Sequence, residues 1–236
     1  MADPHPLESP TRPKQARSLA TLHRILEAAE ALIEEKGLAD ASIPEIVRRA
    51  GSSVGGFYAR FSDKDALLRA LEERFFTEMG ERLHALADAG RWSEAPLHTI
   101  VEACAAELVG VTAARRNLIA AFCTRAALDA EIREDVLRFR RHVSERITAL
   151  LLTRREELVH PRPELAIDLA VQFAFGLMFQ RVISGGLRAG GRALSDDDQV
   201  REIVRNFMGY VGGAAPAGAP DDADPAAARP TSRRRA

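Results

Sequence analysis

Residues 50–61 of this chain read AGSSVGGFYARF and place two adjacent glycines, Gly55 and Gly56, in a stretch that otherwise has helical spacing. Glycine destabilises a helix interior by roughly 0.8–1.0 kcal/mol relative to alanine, so a pair of glycines in a short helix needs a reason. A Gly-Gly pair between apolar and aromatic residues is also typical of a two-residue β-hairpin turn. The flanking sequence therefore has to decide between a helix and a hairpin.

The sequence before this stretch predicts two helices. Apolar residues recur at helical spacing over residues 19–33, and Gly37 is the expected stop of this first helix. Residues 42–45, Ser-Ile-Pro-Glu, have the spacing of a capping box, and proline is tolerated in the first turn of a helix. A short second helix therefore begins there, and Gly51 ends it after two turns.

The sequence after the turn predicts two more helices. Apolar residues over 54–61 again have helical spacing, and either Ser52 or Ser53 can cap this third helix. Ser62 or Asp63 can cap a long fourth helix. Because no partner strands for a hairpin occur anywhere in the sequence, the hairpin is rejected. The remaining arrangement is a helix-turn-helix, which presents its second helix to the major groove of DNA.

The composition is that of an ordinary globular protein, since 46% of the 236 residues are apolar. We find no run of about 18 apolar residues for a membrane span, and residues 1–17 lack the apolar core of a secretion signal. We therefore expect a cytoplasmic protein with no membrane partner. Cys104 and Cys123 lie in apolar helical sequence, which favours reduced core thiols over a disulfide or a redox switch.

The distribution of charge is more informative than the net charge of -1, which excludes only a uniformly basic nucleic-acid binder. Residues 11–24 carry basic but no acidic side chains, and residues 46–64 carry four basic side chains against Asp63 alone. A small domain with one basic side would suit DNA phosphates. Ordinary solvated helix faces explain the same segregation, so charge alone does not decide.

The rest of the chain is predicted to be wholly helical from residue 92 onward. Pro161 and Pro163 must interrupt it, and a glycine-rich stretch at 184–195 separates the last two helices. Low-complexity composition predicts disorder at the C-terminal end. Helices are expected at 96–111, 115–125, 131–158, 164–183 and 196–211.

Residues 25–68 closely resemble the TetR family of bacterial transcriptional regulators, over about a fifth of the chain. The chain departs from the family pattern at Gly56, where members often carry a polar residue, and at Ser52, where the family has valine. A DNA sequence recognised by a relative therefore cannot be transferred. The positions in register with the family pattern are Ile25, Leu26, Ala28, Ala29, Gly37, Ser42, Ala50, Gly51, Ser53, Gly55, Phe57, Tyr58, Phe61 and Lys64.

The resemblance implies an all-α fold with an N-terminal helix-turn-helix DNA-binding domain and a helical-bundle domain for effector binding and dimerisation. The expected limits are a flexible arm at 1–16, the DNA-binding domain at 17–66, the effector domain at 67–212 and a disordered tail at 213–236. It implies a dimeric repressor that leaves a pseudo-palindromic operator when a hydrophobic small molecule binds, without a cofactor or metal. An activator of the same family stays open, because sequence does not encode the sign of regulation.

We expect the third helix to lie in the major groove with Gly55 and Gly56 toward the bases, because no side chain there holds the backbone away. Tyr58, Arg60 and Lys64 are candidates for phosphate contacts, the last one at the start of the fourth helix. The full predicted DNA-binding set is Arg17, Ser42, Ser52, Ser53, Val54, Gly55, Gly56, Tyr58, Arg60 and Lys64.

Residues 170–184 are apolar almost all round, which is more than one solvated helix face allows. We expect one side to pack within the chain and the other against a second copy, together with Ile203, Phe207 and Tyr210. The homodimer would form through 164–184 and 196–212. A central helix of a large monomer would explain the same pattern.

The effector is expected to be hydrophobic or aromatic, since the candidate pocket residues are mostly apolar. Each of them is also an ordinary core candidate, and nothing identifies the effector. The predicted ligand-binding set is Met79, Leu83, Trp92, Val101, Cys104, Leu108, Phe122, Phe139, His142, Phe175 and Phe179.

A helical enzyme or ligand-binding protein with a degenerate DNA-binding motif is the alternative. An enzyme needs convergent acids, bases or metal ligands. The sequence has no HExxH, CxxC or phosphate-loop motif, and its six histidines are scattered. A nucleophile pair of Cys123 and His142 is conceivable, but no spacing supports it. We therefore expect a protein that is not an enzyme.

Overall fold

The computed structural model describes residues 11–212, with side chains from residue 18 onward. The first ten residues of the predicted arm and the whole predicted tail, 213–236, lie outside the described residues. The described elements are α1 (Thr11–Asp40), α2 (Ile43–Arg49), α3 (Val54–Tyr58), α4 (Lys64–Leu86), α5 (Leu97–Ala114), α6 (Arg116–Leu128), α7 (Ala130–Leu151), α8 (Pro163–Ser184), β1 (Arg188–Ala189), β2 (Arg192–Ala193) and α9 (Asp196–Tyr210), with 3₁₀ turns at Ala89–Trp92 and Leu152–Glu157.

Helix α1 is longer than predicted at its start. It begins at Thr11, so residues 11–16 of the predicted flexible arm are helical. Pro13 lies in the first turn, where its missing amide hydrogen is not needed, and the lysine, glutamine and alanine after it favour a helix. Gly37 leaves helical geometry at φ 83° and ψ 164°, so the long helical segment ends at the predicted stop, and residues 38–40 of α1 follow a kink.

Side-chain caps set the starts of α3 and α4. The Ser53 hydroxyl accepts from the Gly56 amide at 3.0 Å, so Ser53 rather than Ser52 caps α3. Asp63 rather than Ser62 caps α4, and its carboxylate accepts from the Ala66 amide at 2.7 Å. Each cap satisfies an amide that has no partner within its own helix.

Two large hydrophobic clusters form most of the core. The first joins α1–α4 with α6, and Phe57 and Leu118 are buried in it. The second joins the end of α4 with α5, α7, α8 and α9. Because α4 contributes to both clusters, the packing crosses the boundary predicted between residues 66 and 67. The predicted domain limits stay a prediction.

The predicted helix at 131–158 is wrong at its end, because α7 stops at Leu151. Arg154 leaves helical geometry at φ -111° and ψ 39°. Its guanidinium donates to the backbone carbonyls of Ala95 at 2.8 Å and Ser93 at 2.9 Å, and to that of Trp92. These contacts with a distant turn hold the chain out of the helix.

The expectation that the chain contains no strands is also wrong. Residues 188–189 pair antiparallel with 192–193, joined by Gly190 and Gly191. Both glycines have positive φ, 54° and 78°, which a two-residue hairpin turn of this kind requires.

Helices α5 and α8 are long and apolar enough to cross a membrane by length and composition, with mean hydropathies of 1.3 and 1.4. This corrects the expectation that no such stretch exists. One third of each apolar window, 33%, is buried inside the protein, and both helices contribute to the second core cluster. Core helices of soluble proteins meet the same criterion.

Candidate DNA-binding surface and effector cavity

The turn between α2 and α3 is shaped by local hydrogen bonds. Glu45 reaches back to the start of α2, where its Oε2 accepts from the Ser42 amide at 3.4 Å and from the Ser42 hydroxyl at 2.6 Å. Gly51 has φ 59°, a left-handed conformation that glycine adopts without strain. The Ser52 amide then donates to the Val47 carbonyl at 2.9 Å, which closes the turn.

Helix α3 turns one side to the core and the other to solvent. Phe57 is fully buried and packs 5.3 Å from both Tyr58 and Phe61, measured between ring centroids. Val54 and Tyr58 are 48% and 54% exposed, and Gly55 is also exposed. The exposed face of α3 therefore carries one aliphatic side chain, one bare backbone position and one phenol.

The two adjacent glycines of α3, Gly55 and Gly56, have different surroundings. A Cβ added at Gly55 would meet only the Ser53 hydroxyl, at 4.0 Å. A Cβ added at Gly56 would lie 2.8 Å from the Ser52 hydroxyl and 3.2 Å from the Ser53 hydroxyl. Gly56 therefore faces the serine hydroxyls at the start of α3, and Gly55 is the glycine with open space.

Two residues that are predicted to contact DNA phosphates donate instead to backbone carbonyls of this chain. Arg60 donates to the Gly56 carbonyl at 2.7 Å and to the Ser18 hydroxyl at 3.2 Å, so it connects α3 with α1. Lys64 donates to Leu38 at 2.5 Å, and its partial burial lowers its pKa. Phosphate contacts by these two residues stay a prediction. The side chain of Arg17 lies outside the described side chains.

Two further arginines near this surface lie outside the predicted DNA-binding set. Arg24 donates to the carbonyl of Ala50 at 3.1 Å, at the end of α2. Arg48 is exposed on α2. The basic run over 46–64 was the signal that could have added Arg48 to the set.

An ion pair behind α2 holds one carboxylate ionised. The ammonium of Lys36 donates to both Glu45 oxygens at 2.6 Å. These bonds and the Ser42 hydroxyl lower the pKa of Glu45 to about 2. Glu45 therefore stays charged at neutral pH and fixes α2 to the end of α1.

A cavity of about 500 Å³ lies among α4, α5, α6, α7, α8 and α9. Its lining is mainly aliphatic and aromatic. It brings together all of the predicted ligand-binding residues except Trp92 and His142, namely Met79, Leu83, Val101, Cys104, Leu108, Phe122, Phe139, Phe175 and Phe179.

Trp92 and His142 lie outside the cavity lining for different physical reasons. Trp92 is buried in the second core cluster, and its indole nitrogen donates to the Leu86 carbonyl at 2.7 Å. His142 is exposed on the opposite side of α7 and borders a separate polar groove against α4. Helical periodicity did not separate these positions from the cavity wall.

Both cysteines line the cavity and are hard to ionise. Burial raises the pKa of Cys104 to about 12 and also raises that of Cys123. Thiols are reactive mainly as thiolates, so neither is primed for redox chemistry. Within residues 18–212 no three side chains of His, Cys, Asp or Glu are grouped as metal ligands would be.

A polar joint connects the helix-turn-helix to the helices around the cavity. Glu34 of α1 accepts from the first-turn amides of α6, from Asn117 at 3.1 Å and from Leu118 at 2.7 Å. Arg115 binds Glu30 of α1 at 3.0 Å and Glu78 of α4 at 2.7 Å. Sequence reasoning missed this joint, because its partners lie far apart in the chain.

Helices α8 and α9 expose different faces. On α8, Leu165, Phe173 and Ile183 are 41%, 60% and 58% exposed. Phe207 of α9 is only 6% exposed and packs in the core, so the expectation that it contacts a second copy is wrong. Tyr210 is 38% exposed, and the rest of the outer face of α9 is mainly charged.

Comparisons with known proteins agree with this geometry. A family model described as bacterial regulatory proteins, tetR family, matches residues 25–71. The regulator YvdT of Bacillus subtilis is 45% identical over 69 residues, covering 28% of this chain and 36% of YvdT. The A-factor receptor protein of Streptomyces griseus is 34% identical over 83 residues, covering 33% and 30%. The chain thus matches only about a third of either relative.

Solved structures are similar over most of the chain. A TetR-family regulator from Mesorhizobium loti has a TM-score of 0.63 at 20% identity, covering 84% of this chain and 99% of that one. Reduced NemR from E. coli has a TM-score of 0.59 at 20% identity, covering 84% and 100%. At this identity the likeness shows the fold, all-α with an N-terminal helix-turn-helix. The curated relatives are named as regulators and receptors, not as enzymes.

Proposed function

We propose that this chain, which belongs to the TetR family of bacterial transcriptional regulators, is a cytoplasmic repressor controlled by a small molecule. In this proposal a homodimer holds a pseudo-palindromic operator in double-stranded DNA through α2 and α3. The dimer leaves the operator when a hydrophobic effector fills the cavity. An activator would use the same two sites with the opposite effect on transcription.

The exposed face of α3 is the observation that carries the proposal. Buried Phe57 anchors the helix, while Val54 and Gly55 project from it without charge or bulk. Such a helix can approach base edges closely in the major groove, where an apolar side chain contacts the thymine methyl group. The hydroxyl of exposed Tyr58 can donate to a phosphate and fix the register.

The joint between α1 and α6 supports the proposal that effector binding releases the dimer from the operator. Helix α6 lines the cavity through Phe122 and is capped at its start by Glu34. A ligand that favours another position of α6 would pull on this cap and on α1. An effector can shift the equilibrium only by its difference in affinity between the two positions.

The exposed apolar side chains of α8 support the homodimer. Phe173 and Ile183 are each more than half exposed, at 60% and 58%, on a helix whose other face packs in the core. Exposed large apolar side chains that gather on one helix are typical of interfaces between proteins. The charged outer face of α9 would form the polar edge of the contact.

The experiment that tests the DNA-binding proposal is a footprint on the DNA flanking the gene, with Val54→Glu as the variant. A negative charge on the exposed face of α3 should abolish protection, because DNA phosphates repel it. Val159→Glu is the matched control, since Val159 is 68% exposed and lies outside the helix-turn-helix. Protection by Val54→Glu equal to that of the wild type would refute the proposed surface.

The homodimer is tested by the mass in solution, measured by light scattering. Phe173→Glu should halve the mass, whereas Leu128→Glu should leave it unchanged, because Leu128 is 86% exposed at the end of α6. A wild-type chain that is already monomeric would rule out the dimer, and an unchanged mass for Phe173→Glu would move the interface away from α8.

A further inference from the structure

The cavity wall is apolar but not neutral. Four charged side chains belong to its lining, Arg82, Glu107, Arg133 and Arg140. Arg82 and Glu107 neutralise each other, since Arg82 Nε lies 2.6 Å from Glu107 Oε1. Among the side chains described from residue 18 onward, no carboxylate lies within 4.0 Å of Arg133 or Arg140. The wall therefore has an excess of positive charge.

The two remaining arginines differ in how they are held. Arg133 is exposed and donates to the Ala126 carbonyl at 3.2 Å, at the end of α6. Arg140 is partly buried, and its guanidinium carbon lies 5.2 Å from the ring centroid of Phe175, another residue of the lining. In the part of the chain that the structure describes, no hydrogen-bond acceptor is assigned to Arg140.

A guanidinium on an apolar wall with no acceptor from the protein is free to pair with an anionic ligand, and a carboxylate fits its planar fork in a bidentate way. The ring of Phe175 holds one face of the fork and leaves its N–H edge available. The nearby thiol of Cys123 does not compete for the guanidinium, because burial raises its pKa and keeps it neutral.

We propose that the effector of this cavity is an amphiphilic monoanion, an apolar body carrying one carboxylate that pairs with Arg140. The inference rests on the proposed effector cavity and names the chemistry of its ligand. The aliphatic and aromatic lining holds the body, and Arg140 fixes the orientation of the charged end. A neutral ligand of the same size lacks the charge-assisted hydrogen bonds and binds more weakly.

Calorimetric titration of the full chain without DNA tests the inference. The probes are decanoate and naphthoate, an aliphatic and an aromatic carboxylate, with decanol and naphthol as their uncharged counterparts. At neutral pH at least one carboxylate should bind the wild type about tenfold or more tightly than its uncharged counterpart, as expected for hydrogen bonds to a charged group. Equal affinities, or no binding of either carboxylate, would overturn the inference.

Variants of neighbouring arginines assign the contact. Arg140→Gln should weaken carboxylate binding about tenfold or more and leave the affinity for the uncharged probe unchanged. Arg140→Lys, which keeps the charge, should lose less. Arg141→Gln is the matched control, because Arg141 is exposed and outside the cavity lining. Wild-type carboxylate affinity in folded Arg140→Gln would overturn the assignment, and if that variant unfolds, the comparison of the charged and uncharged probes on the wild type still decides.

The two proposals fail in different ways. The DNA footprint of the wild type needs no ligand, and the titration needs no DNA. An intact footprint without carboxylate binding removes only this inference. Carboxylate binding without any footprint removes the repressor proposal instead.

Discussion

The helix-turn-helix and the cavity are built over very different distances along the chain. In the first, the bonds that set the helix starts join residues three apart, such as Ser53 with Gly56 and Asp63 with Ala66. In the second, the wall runs from Phe75 on α4 to Phe207 on α9. The local region is closely packed around Phe57, whereas the distant contacts line a cavity of about 500 Å³. A phenylalanine therefore fills the core in the first region, whereas phenylalanines of the second region line the cavity.

The largest difference in stability is expected when one phenylalanine is shortened in each region. Phe57→Ala should lower the free energy of unfolding by about 3–5 kcal/mol, because it empties a fully buried site. Phe175→Ala should lower it by only about 1–2 kcal/mol, because a side chain that borders a cavity loses fewer contacts. Urea unfolding measures both. Equal losses would mean that the cavity is collapsed in solution.

The joint between the two regions is tested by neighbouring glutamates. Glu34→Ala should lower the free energy of unfolding by about 1–3 kcal/mol, since two amides of α6 lose their charged acceptor. Glu35→Ala is the control, because Glu35 is paired with Arg49 at the surface, where an ion pair contributes about 0–1 kcal/mol. If urea unfolding gives the two variants the same free energy of unfolding, the Glu34 cap on α6 contributes no more than the surface ion pair.

The two glycines of α3 are expected to respond differently to the same substitution. Gly55→Ala should raise the free energy of unfolding by about 0.5–1 kcal/mol, because its new methyl group meets open space and alanine favours a helix. Gly56→Ala should stabilise less or destabilise, because its methyl group displaces the serine hydroxyls that lie 2.8 and 3.2 Å away. Thermal unfolding of the two variants measures this difference. Changes in stability of the same sign and size would contradict the different surroundings described for the two glycines.

The smallest expected effect concerns the pH dependence of the local region. The pKa of Glu45 is lowered to about 2, so the unfolded state binds its proton more readily than the folded state does. The stabilisation is therefore complete above the ordinary pKa of 4.5 and is lost as the pH falls toward 2. Glu45→Gln should have a lower melting temperature than the wild type at pH 6, and the gap should close at pH 2. A gap that stays constant over this range would rule out the ionised form as its cause.

The helix-turn-helix could be predicted in detail because its determinants are local. The stop at Gly37, the turn at Gly51 and the pairing of Ser42 with Glu45 each depend on residues a few positions apart, and the structure confirms all three. Caps, turn residues and periodicity act within one or two turns of a helix, so a single sequence contains them.

Partners distant in the chain account for what the sequence did not predict. Arg154 ends α7 because the carbonyls it binds belong to residues 92–95, and Lys64 is drawn to Leu38. The sequence around Arg154 and the sequence around Lys64 do not indicate these distant partners. The same holds for Glu34, whose acceptor role appears only once α6 lies against α1.

Local sequence patterns were enough to predict the all-α class, the order of the helices and the motif whose outer face carries Val54, Gly55 and Tyr58. Tertiary packing sets which apolar residues line the cavity, which of them fill the core, and which guanidinium on the wall lacks an acceptor in the described part of the chain. The physical reason is that helix formation is governed by neighbours in the chain. Burial, empty volume and the pairing of charges are governed by neighbours in space.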